Sequence, residues 1–193
     1  MMGIQLIVGL GNPGPEYAKT RHNAGYWFIE TLAQQMRATL QPESKFKSLT
    51  AQISLNGHSC RLLQPTTFMN LSGQATQAAA NFYKIKPEEI LVVHDELDLP
   101  AGSARLKLDG GHGGHNGLRD IMARLSSNQF YRLRLGIGHP GHKDQVHDYV
   151  LHKPSVSDMQ LIIEAIDKSL IALPDIVAGD FNKAMNFLHT ANK

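Results

Sequence analysis

The sequence predicts an α/β fold, a single domain spanning residues 1–193 with a twisted mixed β-sheet flanked by helices. Three observations carry that prediction. Two apolar, β-branched runs, Ile4–Leu10 and Ile90–Val93, lack the alternation of a half-exposed strand and suit strands buried on both faces. Stretches with apolar residues at helical spacing lie between and after such runs. No repeat, low-complexity tract or shift of composition marks a linker in the 193 residues, of which 42% are hydrophobic and 19% charged.

Taken in order, the first run ends at Gly11-Asn12-Pro13-Gly14-Pro15, a turn signal. Asn23 is the expected N-cap of a helix whose apolar face is Trp27, Phe28, Leu32 and Met36, which puts His22 just before a helix N-terminus. Phe46–Leu55 and His58–Gln64 read as two strands of a hairpin turned by Asn56-Gly57. Leu71, Ala75, Ala78, Ala79 and Phe82 trace a second helical face, after which Pro87 follows. The strand Ile90–Val93 then delivers His94-Asp95-Glu96-Leu97-Asp98 where open α/β sheets carry ligand loops. Ala104–Leu108 and Tyr131–Ile137 alternate apolar with basic residues, around a glycine-rich loop and a short helix near Leu118–Leu125. Met159, Ile163, Ile166 and Leu170 predict a further helix, Pro174 its interruption, and Val177, Phe181, Ala184 and Leu188 a last helix. None of these patterns fixes strand order.

Charge and cysteine content narrow the function classes. The formal net charge is +2, so a polyanion-binding surface must come from local clustering. One such cluster runs from Gly102 to Arg134, where Arg105, Lys107, Arg119, Arg124, Arg132 and Arg134 face only Asp109 and Asp120. Arg105 and Lys107, like Arg132 and Arg134, stand two apart, so each pair should share a sheet face, either to grip phosphates or simply to meet water. The single cysteine, Cys60, rules out an intramolecular disulfide and a multi-thiolate metal site. The chain enters a strand pattern almost at once, leaving no signal-peptide pattern, and has no long uninterrupted apolar run, so the cytosol is the expected compartment.

Two glycine-rich segments invite opposite readings. Gly9-Leu10-Gly11-Asn12-Pro13-Gly14 satisfies GxGxxG after a strand, the signature of an NAD-dependent enzyme. Pro13 and Pro15 stiffen the loop, however, and Glu30 falls in a helix instead of at the end of a second strand. Gly110–Gly117 holds five glycines in eight residues and suits a lid or a substrate cradle. Its His112 and His115 have the spacing of metal ligands, but no Cys, Asp or Glu lies in matching register, and no metal is expected. Among ten histidines, His22 stands out by position, because the helix dipole should help keep a neutral base there. Asp95 is a candidate for orienting it, with a plain turn acid as the alternative.

Several segments together resemble the bacterial peptidyl-tRNA hydrolase family: Gly9–Gly14, Tyr17 with Thr20–Gly25, Pro65–Gly73, His94–Asp98 and Gly110–Gly117, in the family's order from about Ile4 to Gly141. The resemblance implies an esterase that hydrolyses the bond between a peptide, or an N-blocked aminoacyl group, and the 3′ ribose of tRNA. It implies His22 as catalytic base and Asp95 as its orienting partner, with Asn12 telling a blocked α-amine from a free one. It further implies Asn70 and Asn116 binding substrate and positioning water, Tyr17 and Phe68 contacting the terminal nucleotide or peptide, and Lys107 with Arg134 clamping the tRNA 5′ phosphate. No cofactor is implied; the partner is peptidyl-tRNA, and the chain is expected to be a monomer. A non-catalytic RNA-binding relative of the same fold is the alternative, against which stands the joint presence of His22, Asp95, Asn12, Asn70 and Asn116.

Overall fold

In the computed structural model, which describes residues 3–190, strand β1 (Leu6–Gly9) runs through the middle of the molecule with every residue buried. The chain then passes through a 3-10 turn at Arg21–Asn23 into α1 (Ala24–Gln35). Next come β2 (Gln41–Glu43), β3 (Ser48–Leu55), β4 (His58–Pro65) and α2 (Ser72–Tyr83). After β5 (Ile90–Glu96) and β6 (Ala104–Leu108) follow α3 (Asn116–Leu125) and β7 (Tyr131–Gly136). The described residues end with α4 (Val146–Val150), α5 (Val156–Ala178) and α6 (Phe181–His189).

Among the described residues, seven strands form one sheet in the order β2-β3-β4-β1-β5-β7-β6. Its centre, β4-β1-β5-β7, is parallel, and the β2-β3-β4 edge and the β6 edge are antiparallel, which makes the sheet mixed as the sequence predicts. One sheet face, carrying Ile7, Leu62, Leu91 and Val93, packs against Phe28, Ile29 and Leu32 of α1 and Ile162, Ile166 and Leu173 of α5. The opposite face, carrying Leu6, Val8, Leu63 and Val92, packs against Ala75 and Ala79 of α2 and Leu118 and Ile121 of α3. The result is three layers with helices on both sides of a doubly covered sheet.

The structure corrects three local expectations. Asn23 occupies the residue before α1, yet its side chain caps no helix N–H and turns to Asn12 instead. Leu71 and Phe82 lie at the margin of the α2 stripe and are 38% and 57% exposed; the buried stripe is Ser72, Ala75, Thr76, Ala79 and Ala80. Pro174 does not interrupt α5, which continues to Ala178 and stops at Gly179, whose φ of 90° is the left-handed C-cap geometry that glycine adopts without strain. An interior proline costs about 3 kcal/mol, but α5 buries Leu173, Ile176 and Val177 beside it, each contributing about 1.5–3 kcal/mol, so packing carries the helix through. Each basic pair shares a sheet face as its spacing predicts, and because Arg105 pairs with Arg134 and Lys107 with Arg132 the two pairs lie on the same one. Of the four, Arg132 is buried, its guanidinium donating to the carbonyls of Gly110, Gly111 and Asn128.

At the β6 edge, the Leu106 N–H that does not meet β7 donates to His189 Nε2 of α6, 3.1 Å away. The far end of the chain thus covers a sheet margin.

Candidate active site

Strands β4 and β5 lie on opposite sides of β1, so the sheet order reverses there, and the carboxyl ends of β1 and β5 open a crevice of the kind that binds ligands in open α/β sheets. The 3-10 turn that bears His22 is pressed into this crevice because Gly25 has no side chain. A Cβ on Gly25 would lie 2.4 Å from both the Leu10 nitrogen and the Val93 oxygen. That close approach brings His22 beside Asp95, the sixth residue of β5.

His22 Nδ1 lies 2.8 and 3.0 Å from the two Asp95 carboxylate oxygens. His115 Nε2 lies 2.8 Å from Asp95 Oδ1. An ionised carboxylate only accepts, so both rings donate to it, and this fixes both tautomers. His22 is left with Nε2 as a bare base; His115 Nδ1 accepts from the Gly117 and Leu118 N–H groups at the start of α3. Burial works to raise the Asp95 carboxyl, and the two histidines, through charge and hydrogen bonds, reverse this and hold it well below the usual carboxylate range. For His22, burial pulls the pKa down, but the Asp95 charge and hydrogen bond prevail and raise it above 6.5. The Asp95 carboxylate thus favours the protonated ring against its burial.

Asn12 is pinned by three hydrogen bonds. Its N–H donates to Asn23 Oδ1 at 2.8 Å, its carbonyl accepts from Asn23 Nδ2 at 3.0 Å, and its side-chain Oδ1 accepts from the Met69 N–H at 2.7 Å. With Oδ1 committed, the Asn12 amide presents N–H donors. Asn116 is set similarly, because Arg119 donates to its Oδ1 at 3.1 Å.

A cavity of about 640 Å³ joins Asn12, His22, Phe68, Asn70, Asp95 and Asn116, with His115 in its floor and Val146, Val150 and Leu151 of the α4 region opposite. Tyr17 is not in its lining; its ring meets the exposed Phe68 ring edge-on at 6.2 Å. Lys107 and Arg134 line a second cavity of about 250 Å³ with Arg132, Glu96 and Asp98. Arg134 Nε donates to Glu96 Oε1 at 2.8 Å. The two cavities share His94, Glu96, Asp98, His112 and Gly113, so they are neighbours.

Sequence reasoning misses His115, Asn23 and Met69. His112 and His115 do not act as a pair: β5 carries Asp95 to His115 from twenty positions away, while His112 Nδ1 accepts from the Gly114 N–H. Asp95, His22 and His115 also place one ligating atom each within 4.8 Å of one another, close enough to share a cation. The same atoms are here joined by hydrogen bonds.

The chain matches the family model described as peptidyl-tRNA hydrolase over residues 6–193. It is 60% identical to a peptidyl-tRNA hydrolase of Sodalis glossinidius, covering 97% of both chains. To one of Coxiella burnetii it is 58% identical, covering 97% of this chain and 98% of the relative. The crystal structure of peptidyl-tRNA hydrolase from Acinetobacter baumannii superposes with a TM-score of 0.96 at 49% identity, covering 100% of this chain and 98% of that one. A full-length family match, relatives this similar and a solved fold this close lead to one conclusion: the chain belongs to the peptidyl-tRNA hydrolase family.

Proposed function

We propose that the chain hydrolyses the ester between a peptide, or an N-blocked aminoacyl group, and the 3′ ribose of tRNA, which frees tRNA stranded by premature drop-off. The observation that carries this reading is the approach of His22 to Asp95 at 2.8 Å on the wall of an amide-lined cavity. A water oxygen attacks the ester carbonyl while His22 Nε2 takes its proton. Such general base catalysis is worth about 10²- to 10⁴-fold in rate. The carbonyl oxygen becomes an oxyanion, for which the uncharged N–H donors of Asn70 or Asn116 are suited; losing one such donor costs about 2.7–4 kcal/mol in comparable sites. The C–O bond then breaks, the 3′ oxygen recovers the proton from His22 as the ribose hydroxyl, and the released acid gives the water's second proton to solvent and departs as a carboxylate.

The donor-only face of Asn12 gives the checkpoint a physical basis. An acyl carbonyl on a blocked α-nitrogen accepts from it, whereas the ammonium of an ordinary aminoacyl-tRNA would meet another donor. Phe68, with Tyr17 at its edge, offers an exposed ring to a base or an apolar peptide side chain. Lys107 and Arg134 hold the 5′ phosphate, an interaction indifferent to sequence, and Arg134 must share itself with Glu96. A tRNA substrate fits a protein that works in the cytosol, as a monomer and a single domain. The glycine-rich loop 110–114 serves as a lid, whose mobility, followed by labels on the loop, changes when substrate binds.

The deciding experiment sets an N-acetylated aminoacyl-tRNA beside its free-amine counterpart. Selective release of tRNA from the acetylated substrate is expected. No release from either substrate overturns the activity, and equal release from both removes Asn12 as checkpoint.

A further inference from the structure

His94, next to Asp95 on β5, is not used by the chemistry above, and it is only 2% exposed. Its Nδ1 lies 2.8 Å from the Asp95 backbone carbonyl, which can only accept, so Nδ1 carries the ring hydrogen. Nε2 is then a bare lone pair, buried with no hydrogen-bond partner among the described residues. A buried acceptor left unmatched costs free energy, and native structures rarely keep one without a use. Burial and the neighbouring His115 lower its pKa to about 4, against the opposing pull of the Asp95 carbonyl, Glu96 and Asp95. The ring is therefore an acceptor throughout the neutral range.

Its location narrows what could donate. His94 lines both the ester cavity and the Lys107–Arg134 cavity. Its ring centroid is 5.1 Å from that of His115, which is 4.9 Å from that of His22. Of the cations around it, Arg134 Nε donates to Glu96 and Arg132 to the glycine-loop carbonyls, and neither they nor Lys107, which lines the same cavity, bonds Nε2. A phosphate dianion cannot serve, because it has only acceptors. A terminal ribose esterified at its 3′ oxygen keeps one free hydroxyl, the 2′-OH, on the adjoining carbon. That hydroxyl is a donor next to the scissile ester, and His94 lines the same cavity as His22. Gly111 and Gly113 line the second cavity with His94 and have open space where a side chain would stand; approach to the buried Nε2 requires this loop to yield.

We propose that His94 Nε2 accepts a hydrogen bond from the 2′-hydroxyl of the terminal ribose, making it a specificity residue that selects ribose over deoxyribose at the acylated end. This rests on the hydrolase reading above. The test is a cycle of two substrates and three enzymes: N-acetylaminoacyl-tRNA ending in adenosine or 2′-deoxyadenosine, with wild type, His94→Asn and His94→Gln. Asparagine keeps a donor near the Nδ1 position and lacks the distal acceptor; glutamine places an oxygen near Nε2.

Wild type should lose about tenfold in kcat/KM on the deoxy substrate, the scale of one neutral hydrogen bond. His94→Asn should lose about tenfold on the ribose substrate with little further loss on the deoxy one, and His94→Gln should recover most of it. An equal deoxy penalty in wild type and His94→Asn overturns the proposal while leaving the hydrolase intact. No turnover by wild type on the ribose substrate overturns the hydrolase reading instead. If the variants do not fold, ¹⁵N-histidine spectra of the wild type decide. The His94 Nε2 resonance should move on adding a short RNA ending in CCA and stay in place with its 2′-deoxy-terminated twin; equal responses to both overturn the proposal.

Discussion

Asp95 accepts from two imidazoles at once. Replacing it by asparagine keeps the size but leaves one oxygen for two donors, and turns an amide N–H toward one ring. His22 then loses its fixed tautomer, and Asp95→Asn should reduce kcat by about 10²- to 10⁴-fold with tRNA affinity largely retained, measured by single-turnover hydrolysis beside filter binding. The raised pKa of His22 gives a second prediction. The base is neutral only above its folded pKa, so kcat/KM should climb with pH in a window lying above 6.5. The stabilisation from the charged His22–Asp95 pair runs the other way: it is present in full below 6.5, the unfolded value, and is lost as pH rises through the folded pKa. Rate and melting temperature measured across that window should move in opposite directions, and parallel rises would remove Asp95 as the dominant influence on His22. His22 and Asp95 are legible as residues because each follows a strand or turn signal. Asn23 and His115 are not, because each serves a partner eleven or twenty positions away, and a local cap or metal spacing describes them equally well.

At the level of elements, the seat of α1 decides whether the site exists. Gly25→Ala would push a methyl to within 2.4 Å of the Leu10 and Val93 backbone. The helix must retreat, at a cost of about 1–3 kcal/mol, and His22 retreats with it. Activity should fall further than thermal stability alone accounts for, a comparison made by assaying well below the melting temperature. The strands and helices themselves are readable from apolar runs and turns, including the Asn56-Gly57 hairpin, whose residues have φ of 49° and 84°. Pro174 misleads about the end of α5 because a proline is a local signal, whereas the burial that overrides it depends on neighbours from other parts of the chain.

The whole molecule arranges the functional regions along one end of its sheet, at the reversal beside β1 and on the β6–β7 margin. Strand order, set by pairing between distant segments, leaves no trace in any single stretch of sequence. The register it imposes gathers Arg105, Lys107 and Arg134 on one side, so tRNA affinity should depend steeply on salt. Lys107→Gln with Arg134→Gln should flatten the slope of log affinity against log salt by about 0.7–0.9 for each phosphate no longer neutralised, with hydrolysis of a small blocked ester unaffected. An unchanged slope would assign the phosphate elsewhere. The same margin would be a hazard if bare, since an unpaired strand invites another copy to add to it. Here His189 accepts from the Leu106 N–H, so the closing helix doubles as a stopper against stacking between copies. Trimming the chain ahead of Phe181 should leave catalytic groups in place yet promote clumping that grows with concentration, visible as more light scattering than the untrimmed chain gives.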